Sequence, residues 1–518
     1  MFIFCRKLSK KRVSVVLQES MRVDGKVKTR LVKYFGIAHS DDELNELKKQ
    51  ARAELRKHKP KKNDYIKTSL SSLVEKKRLT EGFDDVFTKL FDELGLQKSF
   101  SKIKYQQLKD LVIARIASPN SKLNTSKILK RDYEKKISED QIYDLMDKLI
   151  DKESDVKAKI FEATQKYSHD KIINMLFFDV TTLYFESQKS DELRDFGYSK
   201  DGKKGEVQVV LALATNEHGL PVGYHLFPGN TAEVKTLLQS LSAWKKIVPI
   251  KNIRIIADRA MMSENNLTQI EESKNHYVIA AKLKMLPKKL KSEILKINES
   301  KSSEYIIKEF SYKGRRIVVE YSPKRALKDK ADRERLIQRI KTKIGLKTTT
   351  KKLITNSGYL KYMDEEKKGA VVFNEKKIKE EELWDGLHGV ITNDFIAKPQ
   401  CLLGQYKRLW VIEESFRINK HSLSMRPIYH YKPKRIEAHI LMCYIAFSLY
   451  RTLQFKLKIN NKCMSLEKIR EELSHVQSSI LENPKTGEIY KLSSPLSIEA
   501  KAIYTLLKIR RSNKAKAL

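Results

Sequence analysis

The sequence predicts an α/β protein. Strands and helices alternate over residues 169–283, helices resume at 401–460, and a β-rich insertion separates the two stretches at 284–400. Two observations set this class. Ile172–Asp179 and Ile253–Asp258 are near-continuous apolar runs that each end in an acid, the pattern of strands buried on both faces. Between and after them lie helical stretches of ten or so residues, the spacing of strand–helix–strand units. A small β-hairpin unit (1–65) and a helical domain (66–168) precede this core, and a helical region (461–518) follows it.

Taken in order, Val13, Val15 and Leu17 alternate before Asp24-Gly25, and Val27, Thr29 and Leu31 alternate after it, which reads as a hairpin. A charged helix is expected over Asp41–Lys57, then a linker at Lys59-Pro60-Lys61-Lys62. Helices follow around Leu90, over Leu108–Ile116 and, opened by the capping box Ser138-x-x-Gln141, over Ile142–Leu149. These helices fit a helix-turn-helix-like DNA reader and a plain helical support equally. After the Ile172–Asp179 run come strands at Gln208–Ala214 and Val222–Phe227, joined by Asn216-Glu-His-Gly219. A helix capped within Asn230–Glu233 is next, then the Asp258 strand and a strand at Tyr277–Leu283. Within the insertion, Tyr305–Tyr312 and Arg315–Tyr321 read as a hairpin with a very basic helix behind it, and short strands are expected near Ala370–Phe373 and Gly389–Thr392.

Lys and Arg number 104 against 65 Asp and Glu in 518 residues, a formal charge of +39 spread along the whole chain. Such an excess suits a polyanionic partner, nucleic acid first and an anionic membrane surface second. Cys5, Cys401, Cys443 and Cys463 lie too far apart for a zinc knuckle or a CxxC pair, and free thiols in a reducing compartment account for them. The longest apolar run, Ile440–Tyr450, is too short to span a bilayer. A cytoplasmic protein without membrane contact is expected.

One further stretch carries chemistry. Tyr406, Glu413 and Lys420 recur every seven residues and return to nearly one face of a helix, beside Leu402, Leu409 and Phe416. This places a carboxylate in an inward-looking stripe, where it is costly unless a cation or metal compensates it. An ordinary amphipathic helix with a Glu–Lys pair is the plain alternative. If the Asp179 and Asp258 strands are neighbours, both acids face one crevice at their carboxyl ends. With Glu413 they make a set of hard oxygen donors suited to Mg²⁺ or Mn²⁺.

With these residues together, the chain resembles the DDE transposases of bacterial insertion sequences, in the insertion-sequence family four superfamily with the signature Y-x2-R-x3-E-x6-K. Tyr406, Glu413 and Lys420 match the signature spacing. Phe177-Phe178-Asp179-Val180-Thr181-Thr182 and Ile256-Ala257-Asp258-Arg259 resemble the first and second acid motifs. Phe227-Pro-Gly-Asn230-Thr-Ala-Glu233 and Arg426-Pro-Ile-Tyr-His430 are also similar to this group. The signature Arg position holds Leu409; Arg408 is adjacent and Arg417 lies nearer the right face. Ala260 stands where Gly is common after the second acid.

The resemblance implies a ribonuclease H-like catalytic core with a β insertion before the Glu helix. It implies Asp179, Asp258 and Glu413 as catalytic ligands of two Mg²⁺ ions, with Mn²⁺ able to substitute. Tyr406, Lys420, Arg408, Arg417 and Arg259 are the expected DNA-binding residues. The implied activity is binding of double-stranded terminal inverted repeats by a homodimer, metal-dependent cleavage, and strand transfer into target DNA, in a bacterial, nucleoid-associated setting. A ribonuclease H-like nuclease without strand transfer, and a DNA-binding protein with a decayed site, are the alternatives.

Overall fold

The computed structural model describes residues 2–9, 12–23, 26–58, 73–168, 171–198, 205–248, 252–299, 304–345, 362–365 and 371–518. It divides into two compact units, one of Met1–Lys76, Leu481–Tyr490 and Ala517–Leu518, the other of Lys77–Ile480 and Lys491–Lys516.

In the first unit, β1 (Phe2–Ser9), β2 (Arg12–Val23) and β3 (Lys26–Ala38) form an antiparallel sheet in that order. The helix Asp41–His58 packs on one face, where Val15, Leu17, Ala38 and Ala51 are buried. The β2–β3 hairpin and the helix agree with the sequence pattern; β1 leaves no such pattern, because Arg6 and Lys7 interrupt its apolar residues. Asp24, Gly25 and the Lys59–Lys62 linker lie outside the described residues. β4 (Val74–Thr80) follows.

The second unit opens with helices Gly82–Glu93, Lys102–Ala117, Lys122–Tyr133, Glu139–Leu149 and Glu153–Gln165. The Ser138/Gln141 capping box forms in both directions, and Ile142, Leu145, Met146 and Leu149 point inward. These helices close around Pro433–Ile459, a helix buried along most of its 27 residues. Its apolar run, too short for a membrane, is a core element, and no helix among the described residues is long and apolar enough to cross a membrane.

The central element is a mixed sheet of eight strands. They are β5 (Met175–Tyr184), β6 (Gln208–Thr215), β7 (Pro221–Pro228), β8 (Arg254–Ala257), β9 (His276–Ala280), β10 (Ile306–Tyr312), β11 (Arg315–Tyr321) and, after the small β12 (Met363–Glu365) and β13 (Val371–Phe373) pair, β14 (Leu387–Thr392). Their order across the sheet is β10-β11-β14-β9-β8-β5-β6-β7. β5, β6 and β7 pair antiparallel; β8 runs parallel to β5 and β9 parallel to β8.

Asn216–Gly219 turns β6 into β7, with Gly219 at φ +77° and the Asn216 side chain accepting from the His218 and Leu220 amides. Gly229 closes the far end of β7 where a Cβ would stand 2.1 Å from the Gln208 carbonyl oxygen, so only glycine fits.

Four sequence expectations need correction here. The stretch 461–518, expected to be helical, holds the strands Gln477–Glu482, Ile489–Ser493 and Lys516–Ala517 as well as the helices Leu466–Ser474 and Ile498–Leu506. β5 does not end at Asp179 but continues to Tyr184, because Val180 and Leu183 extend its buried alternation. The helix Glu233–Lys245 is capped at Ala232 without a side-chain bond; Asn230 instead donates to Asp195 Oδ2 at 2.6 Å. The stretch read as a β-rich insertion contributes β10, β11 and β14 to the central sheet itself. It also carries the expected basic helix, Pro323–Gly345, and two further helices, Lys288–Glu299 and Glu375–Glu382.

Strand alternation sorts the sheet into two faces. Phe178, Val180, Ala212, Ile255 and Ala257 face a core with Leu237, Trp244, Leu267 and Ile270 from the crossover helices. Phe177, Leu211, Leu213 and Ile256 face the other core, with Leu402, Ile412, Phe416 and the long Pro433–Ile459 helix. The functional candidates lie on this second side.

Candidate active site

The parallel register pairs Phe178 with Ala257, so Asp179, inside β5, and Asp258, just past the end of β8, are the next residues along neighbouring strands. Neighbouring strands lie about 4.8 Å apart, which sets the two backbones side by side. Since Phe178 and Ala257 face one core, Asp179 and Asp258 fall on the opposite side, toward the Tyr406 and Glu413 helices. β8 ends at Ala257 while β5 runs on, so the pair sits at the carboxyl end of one strand and against the flank of the other. Both acids are half-buried. Asp179 Oδ1 accepts from the Val180 amide at 2.8 Å, and Asp258 Oδ1 accepts from the Tyr406 hydroxyl at 3.2 Å. Burial and the Asp258 charge both raise the Tyr406 phenol's pKa, so it remains a proton donor at neutral pH.

The stretch read as one helix from Tyr406 to Lys420 is three pieces. Pro399–Lys407 ends in a turn at Arg408, Trp410–Arg417 begins anew, and Ile418–Ser422 winds as a π-helical turn. Leu402, Leu409 and Phe416 nevertheless all remain buried. Glu413 does not share their burial. It is exposed, in the first turn of its helix, and its side chain makes no hydrogen bond or ion pair among the described residues. Its neighbour Glu414 takes the ion pair instead, accepting from the buried Arg451 at 2.8 Å. The inward-looking carboxylate of this stretch is therefore Glu414, and its compensation is an arginine.

The other expected DNA-contacting residues are distributed unevenly. Arg259 is exposed on the turn after Asp258. Arg408 is exposed and donates to the Glu217 carbonyl. Arg417 is exposed with Glu414 Oε1 at 3.8 Å. Lys420 is buried within the π-helical turn.

Metal-binding capacity can be tested against this arrangement. Asp179 and Asp258 are adjacent hard-oxygen donors, which suits Mg²⁺ or Mn²⁺. No group of three or more Asp, Glu, His or Cys side chains is close enough to hold one ion among the described residues, so Glu413 does not join the strand pair in this conformation.

Asp258, Arg259 and Tyr406 also line a cavity of about 800 Å³ that sequence reading did not anticipate. Its wall carries Lys282, Lys284, Arg325, Arg333 and His388. The Tyr406 ring lies 5.1 Å from the His388 ring, centroid to centroid. Behind His388, its Nδ1 is 3.6 Å from Glu320, which is 2% exposed and accepts from Lys407 at 2.7 Å and from Tyr305. Burial alone would raise the Glu320 pKa; its contacts with His388, Lys407 and Tyr305 outweigh that and hold it down to about 2. Glu320 thus fixes the end of the Tyr406 helix to β11. Only the lysine cluster near 282–291 hinted at this cavity, since the rest comes from strands far apart in sequence.

A family model described as a transposase DDE domain matches residues 172–449. No curated protein matches. Among solved structures, the chain is similar to the piggyBac transposase synaptic complex with hairpin DNA. The identity is 12% and the TM-score 0.36, over 76% of this chain and 77% of that one. That likeness is too loose to bear on fold or function.

Proposed function

Since the chain belongs to the transposase DDE domain family, we propose that it binds the terminal inverted repeats of a mobile element, cuts DNA there and joins the freed end to target DNA. The observation that carries this reading is the Phe178–Ala257 register, which sets Asp179 beside Asp258. The sheet order β7-β6-β5-β8-β9, with the first three strands antiparallel and the last two parallel to β5, supports a ribonuclease H-like core. The signature spacing of Tyr406, Glu413 and Lys420 supports a bacterial insertion sequence of the family-four superfamily as the source.

In this reading Asp179, Asp258 and Glu413 would hold two divalent ions, which would supply charge neutralisation for phosphodiester chemistry when bound. Glu413, exposed and unengaged among the described residues, must approach the strand pair on loading. Tyr406 orients the Asp258 carboxylate by its hydrogen bond. Arg259, Arg408 and Arg417 offer exposed guanidinium groups to DNA phosphates, whereas Lys420, expected on DNA as well, is buried. Water attacks the phosphodiester and releases a 3′-hydroxyl; that hydroxyl then attacks a target phosphodiester in line and expels a new 3′-oxygen. Two ends must be paired, so the working form is a homodimer on DNA.

The test uses Asp179→Asn with a labelled terminal-repeat duplex. Cleavage should vanish while binding of the duplex persists; cleavage at the wild-type rate would overturn the assignment. Strand transfer from a pre-cut end separates the transposase from a nuclease that cuts without joining.

A further inference from the structure

The first unit leaves one sheet face uncovered. The antiparallel registers place Phe2, Gln18 and Leu31 in one row across β1–β3, Phe4, Val16 and Tyr34 in the next, and Arg6, Ser14 and Ile37 in a third. Ile3, Val15 and Leu17 point the opposite way, toward the Asp41–His58 helix. Phe2, Phe4, Leu31, Tyr34 and Ile37 are each between 37% and 56% exposed. So many large apolar side chains on one face of a three-stranded sheet call for an occupant.

The charge of the same strands narrows the choice. Residues 1–38 carry ten Lys and Arg against two acids, Glu19 and Asp24. Arg6 and Arg12 are exposed, fall on the uncovered face by strand alternation, and make no ion pair among the described residues. A second copy of this face would bring like charges together, whereas a polyanion would be drawn in. Phe4 and Tyr34, on either side of Val16, stand roughly 10 Å apart, two strand spacings, and Phe2 stands about 7 Å along β1 from Phe4. Rings exposed on a basic sheet offer flat surfaces for bases, and base faces are available only in unpaired strands.

We infer that the outer face of the β1–β3 sheet is a stacking platform for single-stranded DNA. The choice of DNA as the polymer rests on the proposed transposase function; the platform itself does not. Phe2, Phe4 and Tyr34 take the bases, and Arg6 and Arg12 meet the phosphates.

The experiment uses the full chain without divalent metal, so that no cleavage intervenes. The probes are a fluorescent 20-nucleotide oligothymidylate and a duplex of equal length. Phe4→Ala/Tyr34→Ala should weaken binding of the single strand by about tenfold or more and change duplex binding by less than about twofold. Phe4→Leu/Tyr34→Leu keeps apolar area but removes the rings, and should lose binding equally. Tyr34→Phe should retain it. Circular dichroism checks folding, which these exposed positions should leave intact.

Unchanged single-strand binding, equal weakening of single strand and duplex, or wild-type binding by the leucine variant would each overturn the platform. So would variants whose only change is loss of self-association in light scattering. Cleavage is scored separately: a wild type that binds the single strand through Phe4 and Tyr34 yet never cuts DNA would sink the transposase reading and leave the platform standing.

Discussion

Glu320→Gln is the perturbation that the geometry defines best. Glu320 is nearly fully buried on β11 and accepts from the Lys407 ammonium at 2.7 Å and from Tyr305, with His388 at 3.6 Å. Its pKa is about 2 in the folded chain against an ordinary 4.5. A folded pKa below the unfolded one means stability that is present above the unfolded value and lost as pH falls through the folded one. At 1.36 kcal/mol per unit, the difference is about 3 kcal/mol at pH 7. At pH 4.5 it is still close to that, and by pH 3 it has fallen to about 1.4 kcal/mol.

The neutral amide of the variant keeps shape and size but not this pH dependence. Urea denaturation of both proteins from pH 7 to pH 3 measures the gap, and their unfolding curves should converge as the solution is acidified. A gap that stays constant over this range would refute the electrostatic origin and leave packing as the cause. The variant also removes the ion pair that holds Lys407, which ends the helix carrying Tyr406, so a loosened Asp258 contact should accompany the lost stability.

Two other perturbations read the site and its frame. Tyr406→Phe removes the donor to Asp258 but keeps the ring beside His388; a hydrogen bond to a charged group is worth about 1.5–3 kcal/mol. Cleavage by the variant should therefore slow by about tenfold or more, with duplex affinity within a few-fold of wild type, and a change confined to affinity would place Tyr406 on DNA instead. Gly229→Ala puts a methyl 2.1 Å from the Gln208 carbonyl oxygen and 2.3 Å from that of Asp195. The end of β7 must shift, and thermal melting should show a loss of about 3 kcal/mol or more; a melting curve matching wild type would mean that the turn has room it does not show.

What could be read from the sequence follows from the range of each interaction. The β5 and β8 strands were legible because burial on both faces leaves an uninterrupted apolar run, and the acids after Phe178 and Ala257 stand out against it. That Asp179 lies inside a strand was not legible, since Val-Thr-Thr-Leu-Tyr reads as well as a turn approach as an extension. The break at Arg408 was hidden because the pieces on either side keep Leu402, Leu409 and Phe416 on the buried face, so the seven-residue repeat survives it. The seven-residue spacing points to Glu413 as the inward carboxylate, and this is wrong: the buried Arg451, 37 residues after Glu414, draws Glu414 inward instead and leaves Glu413 exposed. The joining of β10, β11 and β14 to the central sheet, and with it the cavity beside Asp258, depends on pairings such as Val390 with Ala280 that leave no local trace.

The measurement that bears most directly on the site is Mn²⁺ binding by electron paramagnetic resonance on the chain bound to a pre-cut end duplex. Wild type, Asp179→Asn, Asp258→Asn and Glu413→Gln would be compared. Two bound ions in the wild type, with ion binding and cleavage lost together in all three variants, is the expected result. Glu413→Gln that keeps both ions and cuts at the wild-type rate would contradict it, and would remove Glu413 from the proposed ligand set.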